Sequence, residues 1–314
     1  DSVPQPTYKD KDLRKAVALE KAKAQDETEV FANDSKKKIY MHWMYDVPMG
    51  EQLDDDGDSL ESIEGCLTDA QYNRDEHRKA VIDDILDNWV SQSHNGKFHA
   101  ILATSSIPEA IKYYKLFAQR DCGLKTTAVF DPSDGNNESS IEKIDGIAQM
   151  LEDYNSLFGT CFNISGYASF KRDVCARLAH KTPYTAVENE PSKCLDILIV
   201  VDQMLTGYDS KWLNTLYMDK FYKWSNIEMI IQGISRTNRV FNDDQPHGII
   251  RYYRRPYSMK NIIEYAFEQY SGQKPYGIFV AKLIQNLENM NAAFSDINDI
   301  FKIAGIPDFF KTSR

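Results

Sequence analysis

Much of the usual chemistry of enzymes is missing from this 314-residue sequence, and each absence excludes something. The five cysteines, Cys66, Cys122, Cys161, Cys175 and Cys194, form no CxxC pair. No histidine is spaced to complete a zinc site, so neither a metal nor a disulfide framework is indicated. Reduced, buried thiols of a cytoplasmic protein fit that spacing. No run approaches the roughly 18 apolar residues of a membrane span, and Asp1-Ser2-Val3-Pro4 lacks a charged-then-apolar targeting pattern. The missing initiator methionine suggests a processed chain or a piece of a longer one. A G-x-x-x-x-G-K-[ST] phosphate loop is absent, as are an Asp-Glu-x-His-like metal motif after a strand and a G-x-G-x-x-G turn. No internal repeat or low-complexity block is present. A net charge of −10 excludes coating of nucleic acid by bulk charge, so any such contact has to be local. The acidic run Asp54-Asp55-Asp56-Gly57-Asp58 fails as a calcium loop: counted from Asp54, Ser59 stands where glycine is needed and Gly65 where glutamate is needed. It reads as a solvated loop.

What is there is an ordinary globular mixture, 42% hydrophobic and 27% charged, with room for one large or two ordinary domains. Lys9 to Lys38, dominated by Lys, Glu, Asp and Ala, reads as a solvent-exposed helix or connecting segment, with aromatic patches at Tyr40 to Tyr45 and around Tyr72 to dock it. Val81, Ile82, Ile85, Leu86 and Trp89 predict a helix from Arg74 to Ser93, stopped by Asn95-Gly96. An alternation of short apolar runs and amphipathic stretches follows. Phe98 to Ala103, Leu124 to Phe130, Leu195 to Val201, Leu213 to Met218 and Gly248 to Tyr253 read as strands, with capping boxes Ser106–Glu109, Ser139–Glu142 and Ser225–Glu228 opening helices between them. This pattern predicts an α/β fold, a doubly wound, mostly parallel sheet flanked by helices, whose ligand loops gather at the carboxyl ends of the strands. From Ser258 the chain turns helical, with Ile262, Ile263, Ala266, Phe267, Leu283, Leu287 and Met290. The division expected is a helical connector over 1–95, the α/β domain over 96–256 and a helical C-terminal extension from 257 to 314.

One stretch carries most of the chemical signal. The run Leu195 to Asp202 ends in Leu205-Thr206-Gly207-Tyr208-Asp209, and a later helix presents Ile227, Ile230, Ile231 and Ile234 on one face. At about 100° per residue, Gln232, Arg236 and Arg239 project from the other side. On the residues alone, two arginines there fit either a solvated polar face or phosphate recognition, for which a planar, permanently charged guanidinium is suited.

Gln232-x-x-Ser235-Arg236-x-x-Arg239 resembles motif VI of superfamily 2 helicases, and Leu205-Thr206-Gly207-Tyr208-Asp209 resembles their motif V. Taken with Leu198-Ile199-Val200-Val201-Asp202, Leu213 to Lys220 and Ile231 to Val240, the sequence is similar to the R, or motor, subunit of type I restriction-modification enzymes. Phe98 to Ser106 fits motif IV upstream. The resemblance implies a RecA-like domain 2 sharing an ATP and Mg2+ site with a RecA-like domain absent from this chain, within an ATP-dependent translocase and restriction endonuclease acting on double-stranded DNA. It implies methyltransferase and specificity subunits as partners. Arg239 is then the arginine finger, with Arg236 beside it and Gln232 orienting the nucleotide or the attacking water. Gly207 would allow close backbone approach, and Asp209 would bond the nucleotide sugar or couple the ATP and DNA sites. Thr104, Ser105, Ser106 and Thr206 would grip DNA phosphates. Ser235 departs from the usual glycine of motif VI and Tyr208 from the usual aliphatic residue of motif V.

Asp202 with Asp209-Ser210-Lys211 superficially resembles a nuclease motif, but it falls within motif V. With the phosphate loop missing, the chain alone is expected to be inactive and its arginines to face solvent. The alternative from another class is a non-catalytic RecA-like interaction module that binds DNA or methyltransferase subunits. Between Gln232 and Lys260, six Lys or Arg stand against two acids, so Arg251, Arg254 and Arg255 either extend a basic DNA track or cover the sheet edge.

Overall fold

In a computed structural model, the five apolar runs form one sheet: β1 (His99–Thr104), β2 (Thr126–Val129), β3 (Ile197–Val200), β4 (Leu213–Asp219) and β5 (Ile249–Tyr252). The structure describes residues 6–120, 122–130, 140–201, 208–239, 247–270, 290–295, 297 and 300–302. All pairings are parallel, in the order β2-β3-β1-β4-β5. The expected α/β class is the one observed, a RecA-like parallel sheet flanked by helices. β1, β3 and β4 are buried along their whole length, which explains why they read as continuous apolar runs rather than as alternating ones.

The helices are α1 (Asp10–Lys21), α2 (Glu27–Phe31), α3 (Asp34–Tyr45), α4 (Asp75–Gln92), α5 (Ile107–Gln119), α6 (Ser140–Phe158), α7 (Tyr167–Leu178), α8 (Ile227–Ile234) and α9 (Pro256–Tyr270). The main core joins the strands to Val81, Ile82 and Ile85 of α4, Tyr113 and Phe117 of α5, Met150 and Tyr154 of α6, Phe170 and Val174 of α7, Ile230 of α8 and Ile262 of α9. The Lys9 to Lys38 segment is less exposed than its composition suggests, because Val17, Ala18, Val30, Tyr40, Trp43 and Ile63 close a small core of their own. The chain divides into two compact units, one running to Gln269 and the other continuing from Tyr270. In the second, residues 290–295 are helical and Met290 and Phe294 are exposed.

Three local expectations need correction. Ser106 caps α5 by accepting from the Glu109 amide at 3.4 Å, but the Glu109 carboxylate turns to Arg78 instead of closing the box. The Ser225 box does not form. A short 3-10 turn over Trp224–Asn226 leads into α8, whose cap residue Asn226 makes no side-chain capping bond. Lastly, the arginines do not ride on α8, which ends at Ile234. Ser235 Oγ donates to the Gln232 carbonyl and Thr237 Oγ1 to the Ile234 carbonyl. The Arg236 and Thr237 amides reach back only three residues. Hydroxyl side chains offering the backbone these alternative bonds end a helix in a tightened turn. The Ser139 box lies outside the described residues.

Candidate functional site

A parallel sheet has two chemically distinct edges, and the residues singled out from the sequence divide between them. Asp209 lies four residues before β4 begins, at the amino edge. Its neighbour Tyr208 is fixed there by a 3.0 Å hydrogen bond between its hydroxyl and Nε2 of His99, the first residue of β1. Both rings are buried. Burial, with the nearby His180, drives the His99 pKa down to about 3, so the imidazole is neutral and can accept. Burial pushes the Tyr208 phenol up, so it stays protonated and can donate. Ser210 locks the next turn, donating to the Leu178 carbonyl at 3.2 Å and accepting from the Trp212 amide at 3.1 Å.

Arg239 comes to the same edge from the far end of α8. Its Nε lies 2.8 Å from Asp209 Oδ1, with the two side chains 46% and 53% exposed. The structure thus joins Asp209 to Arg239, although the two are thirty residues apart in the chain. Arg239 faces solvent, as expected, while it makes this pair. Gln232, in the last turn of α8, holds its amide 3.1 Å from Glu228 Oε1, and Arg236 is half-buried. Gly248 makes this corner possible, since a Cβ there would come within 2.7 Å of the Thr237 carbonyl oxygen. The Asp209–Arg239 pair thus lies at the amino edge, whereas the sequence pattern places ligand loops at the carboxyl ends. Thr206 and Gly207 lie outside the described residues.

The carboxyl edge holds the rest. Thr104 ends β1 fully buried, its hydroxyl donating to the Val200 carbonyl at 3.0 Å. Ser105 and Ser106 are half-exposed. Directly across from Thr104 in register is Asp219, the centre of a polar cluster that sequence reading missed. It receives His77 Nε2 at 2.7 Å, Tyr113 OH at 2.9 Å and two Arg254 nitrogens at 3.1 Å. Burial pushes this carboxyl up, but the His77 hydrogen bond and the Arg254 charge outweigh it and hold the pKa at about 2.

These contacts decide the question of the basic track. Arg254 is locked on Asp219, Arg251 makes a two-bond pair with Asp84, and Arg255 lies 3.1 Å from Glu51. The three arginines secure the sheet edge to the N-terminal segments.

Two kinds of comparison with known proteins bear on this arrangement. A family model described as type I restriction enzyme subunit R domain 3 matches residues 96–255. The endonuclease subunit of a Staphylococcus saprophyticus type I restriction enzyme is 32% identical over 213 residues, covering 65% of this chain and 22% of that protein. A Staphylococcus aureus counterpart is 30% identical over 200 residues, 61% and 20% of the two chains. A putative counterpart from Methanocaldococcus jannaschii is 30% identical over 125 residues, 40% and 11%. The chain therefore spans about a fifth of the length of the staphylococcal relatives.

Proposed function

The chain belongs to the family of type I restriction enzyme R-subunit third domains, and from this we propose that it serves as the second RecA-like domain of an ATP-dependent motor that translocates double-stranded DNA. The observation that carries the reading is the meeting of Asp209 and Arg239 at one edge of the sheet. An ion pair this exposed stabilises by at most about 1 kcal/mol. That is enough to orient the guanidinium and little enough for a phosphate oxygen to displace the carboxylate.

The donor set fits a polyphosphate: guanidinium groups from Arg239 and Arg236, with the Gln232 carboxamide in the preceding turn. ATP, held with Mg2+ against a partner RecA-like domain, would supply the free energy of phosphoryl transfer. Arg239 would act as the finger that neutralises charge developing on the transferred group, Arg236 would bind beside it, and Gln232 would orient the attacking water. Asp209, released from Arg239, would be available to the nucleotide sugar, with Gly207 allowing close approach. At the opposite edge Ser105 and Ser106 would hold DNA phosphates, and Thr206 would add a further hydroxyl to that grip. The Thr104 hydroxyl, bonded to Val200, would shape that edge from below. In the whole subunit, working in the cytoplasm with methyltransferase and specificity subunits, such cycles would lead to DNA cleavage.

Two assays test this. The chain alone, with duplex DNA and ATP, should hydrolyse at background rate, and robust turnover would refute the shared-site reading. In the complete R subunit, Arg239→Ala should lower ATPase kcat by about 10³-fold or more with DNA binding kept. Unchanged hydrolysis would instead favour a non-catalytic interaction module.

A further inference from the structure

The amino edge of the sheet also holds a cavity of about 650 Å³, and none of the residues assigned above to nucleotide or DNA lines it. That volume is ordinary for a small-molecule site. A row of side chains from three neighbouring strands runs along it: Lys125 before β2, Asp196 before β3 and His99 at the start of β1. The strand ladder reaches this row, since the Asp196 amide donates to the Lys125 carbonyl and the Ala100 amide to the Asp196 carbonyl, each at 2.9 Å. Neighbouring strands lie about 4.8 Å apart, so the His99 ring and the Asp196 carboxylate leave the sheet side by side. Trp89 and Leu195, both buried, add apolar wall.

Each of these two polar groups has one atom committed and one open. His99 Nε2 accepts from the Tyr208 hydroxyl, so the neutral ring carries its proton on Nδ1, which makes no hydrogen bond among the described residues. Asp196 Oδ2 accepts from the Lys125 amide at 2.8 Å, while Oδ1 makes none. Neither open atom is sealed in the interior: among the described residues, the buried side-chain nitrogens and oxygens without a hydrogen bond are Thr127 Oγ1 and Trp224 Nε1. Both therefore open onto the cavity that their residues line. It presents an N–H donor beside a carboxylate acceptor, and a ligand that fails to answer either one leaves a desolvated polar group unpaired. Charge of either sign is disfavoured there. Asp196 repels an anion from the donor, and Lys97, Lys125 and Arg177 along the cavity repel a cation.

We propose that this cavity binds a small, neutral, planar heterocycle of nucleobase type, with His99 Nδ1 donating to a ring acceptor and Asp196 Oδ1 accepting from the adjoining N–H. Adenine presents that pair, its N7 beside the exocyclic amine. The site uses no phosphate contact and does not rest on the ATP reading of Asp209 and Arg239.

The test is calorimetric titration of this chain with adenosine, which has no phosphate for the arginines. Adenosine should bind at neutral pH, and its N,N-dimethyl analogue, with no amine hydrogen for Asp196, should bind about tenfold more weakly. Asp196→Asn keeps an acceptor for the Lys125 amide but turns an NH2 group into the cavity. It should weaken adenosine about tenfold and bind the two nucleosides alike. Val90→Trp, at an exposed position on the cavity's lining, should obstruct entry and lower the affinity while leaving the thermal melt unchanged. Arg239→Ala should bind adenosine as the wild type does. The proposal is overturned by a wild-type chain that does not bind adenosine, by equal wild-type affinity for the two nucleosides, or by adenosine binding unchanged in both Asp196→Asn and Val90→Trp. Loss of adenosine binding in Arg239→Ala also overturns it, since the base would then sit in the nucleotide half-site. Normal ATPase in the Arg239 variant of the complete subunit would retire the ATP assignment and keep this one.

Discussion

His99 shows how one residue can set the position of the Asp209–Arg239 site without being part of it. It opens the most central strand, is buried, and accepts from Tyr208, whose neighbour Asp209 pairs with Arg239. Its pKa of about 3 lies below the ordinary histidine value of 6.5. Between those two values the unfolded chain binds more protons than the folded one, so stability falls as pH falls. Above about 6.5 both forms are neutral and the contribution is flat. The slope expected is about 1.4 kcal/mol per pH unit from this group. Urea unfolding of the wild-type chain at pH 7.5 and pH 5 should therefore show a loss that His99→Gln reduces by roughly 2 kcal/mol, since glutamine keeps an acceptor for Tyr208 and cannot titrate. Equal losses in the two proteins would mean that His99 is not held neutral. From the sequence only the departure of Tyr208 from an aliphatic residue hinted at this pair. Its partner lies over a hundred residues upstream in what reads as an apolar strand.

At the scale of elements, the end of β4 is where the fold is tied. Asp219 gathers His77 from α4, Tyr113 from α5 and Arg254 from the segment after β5. The neighbouring Arg78 of α4 holds Glu109 of α5 in two bonds of 2.8 and 2.6 Å. The five strands and the parallel class of their sheet were legible because apolar period acts over a few positions. These pairings were not, since the acids that match the arginines come from Glu51, Asp84 and Asp219, far along the chain, while the arginines alone looked like a basic stripe. The contrast can be measured. Arg254→Ala leaves a buried carboxylate without its cation and should cost about 3–5 kcal/mol, whereas Arg251→Ala breaks a pair at the surface and should cost about 1 kcal/mol or less. Chemical denaturation of the two variants checks this, and a DNA-track role would instead give two small stability losses with weakened duplex binding in both.

For the unit that reaches to Gln269, the N-terminal segment does more than connect. Glu64 is fully buried and accepts from the Tyr8 hydroxyl at 2.6 Å, the Tyr257 amide at 3.2 Å, and the Ser258 amide and hydroxyl at 2.7 and 2.8 Å. It thus caps α9 from 194 residues away, doing for those first amides what a local cap does elsewhere. Burial pushes its pKa up against those bonds. Gly50 packs flat on the same turn. A Cβ there would lie 2.5 Å from the Tyr257 carbonyl carbon and 2.6 Å from the Ser258 amide nitrogen, and backbone atoms cannot move aside as a side chain could. Composition gave no sign of this, because a run of Lys, Glu and Asp reads as solvated whatever its few apolar residues close upon. Gly50→Ala should therefore prise the segment from α9, cost about 1–3 kcal/mol as overpacking does, and open the Lys9 to Lys38 stretch to limited trypsin digestion while the sheet-bearing core resists. The measurement is the digestion pattern with a melting curve on the same variant. If the segment were only a linker, trypsin would cut it equally fast in the wild type, and the alanine would leave the melting curve where it was.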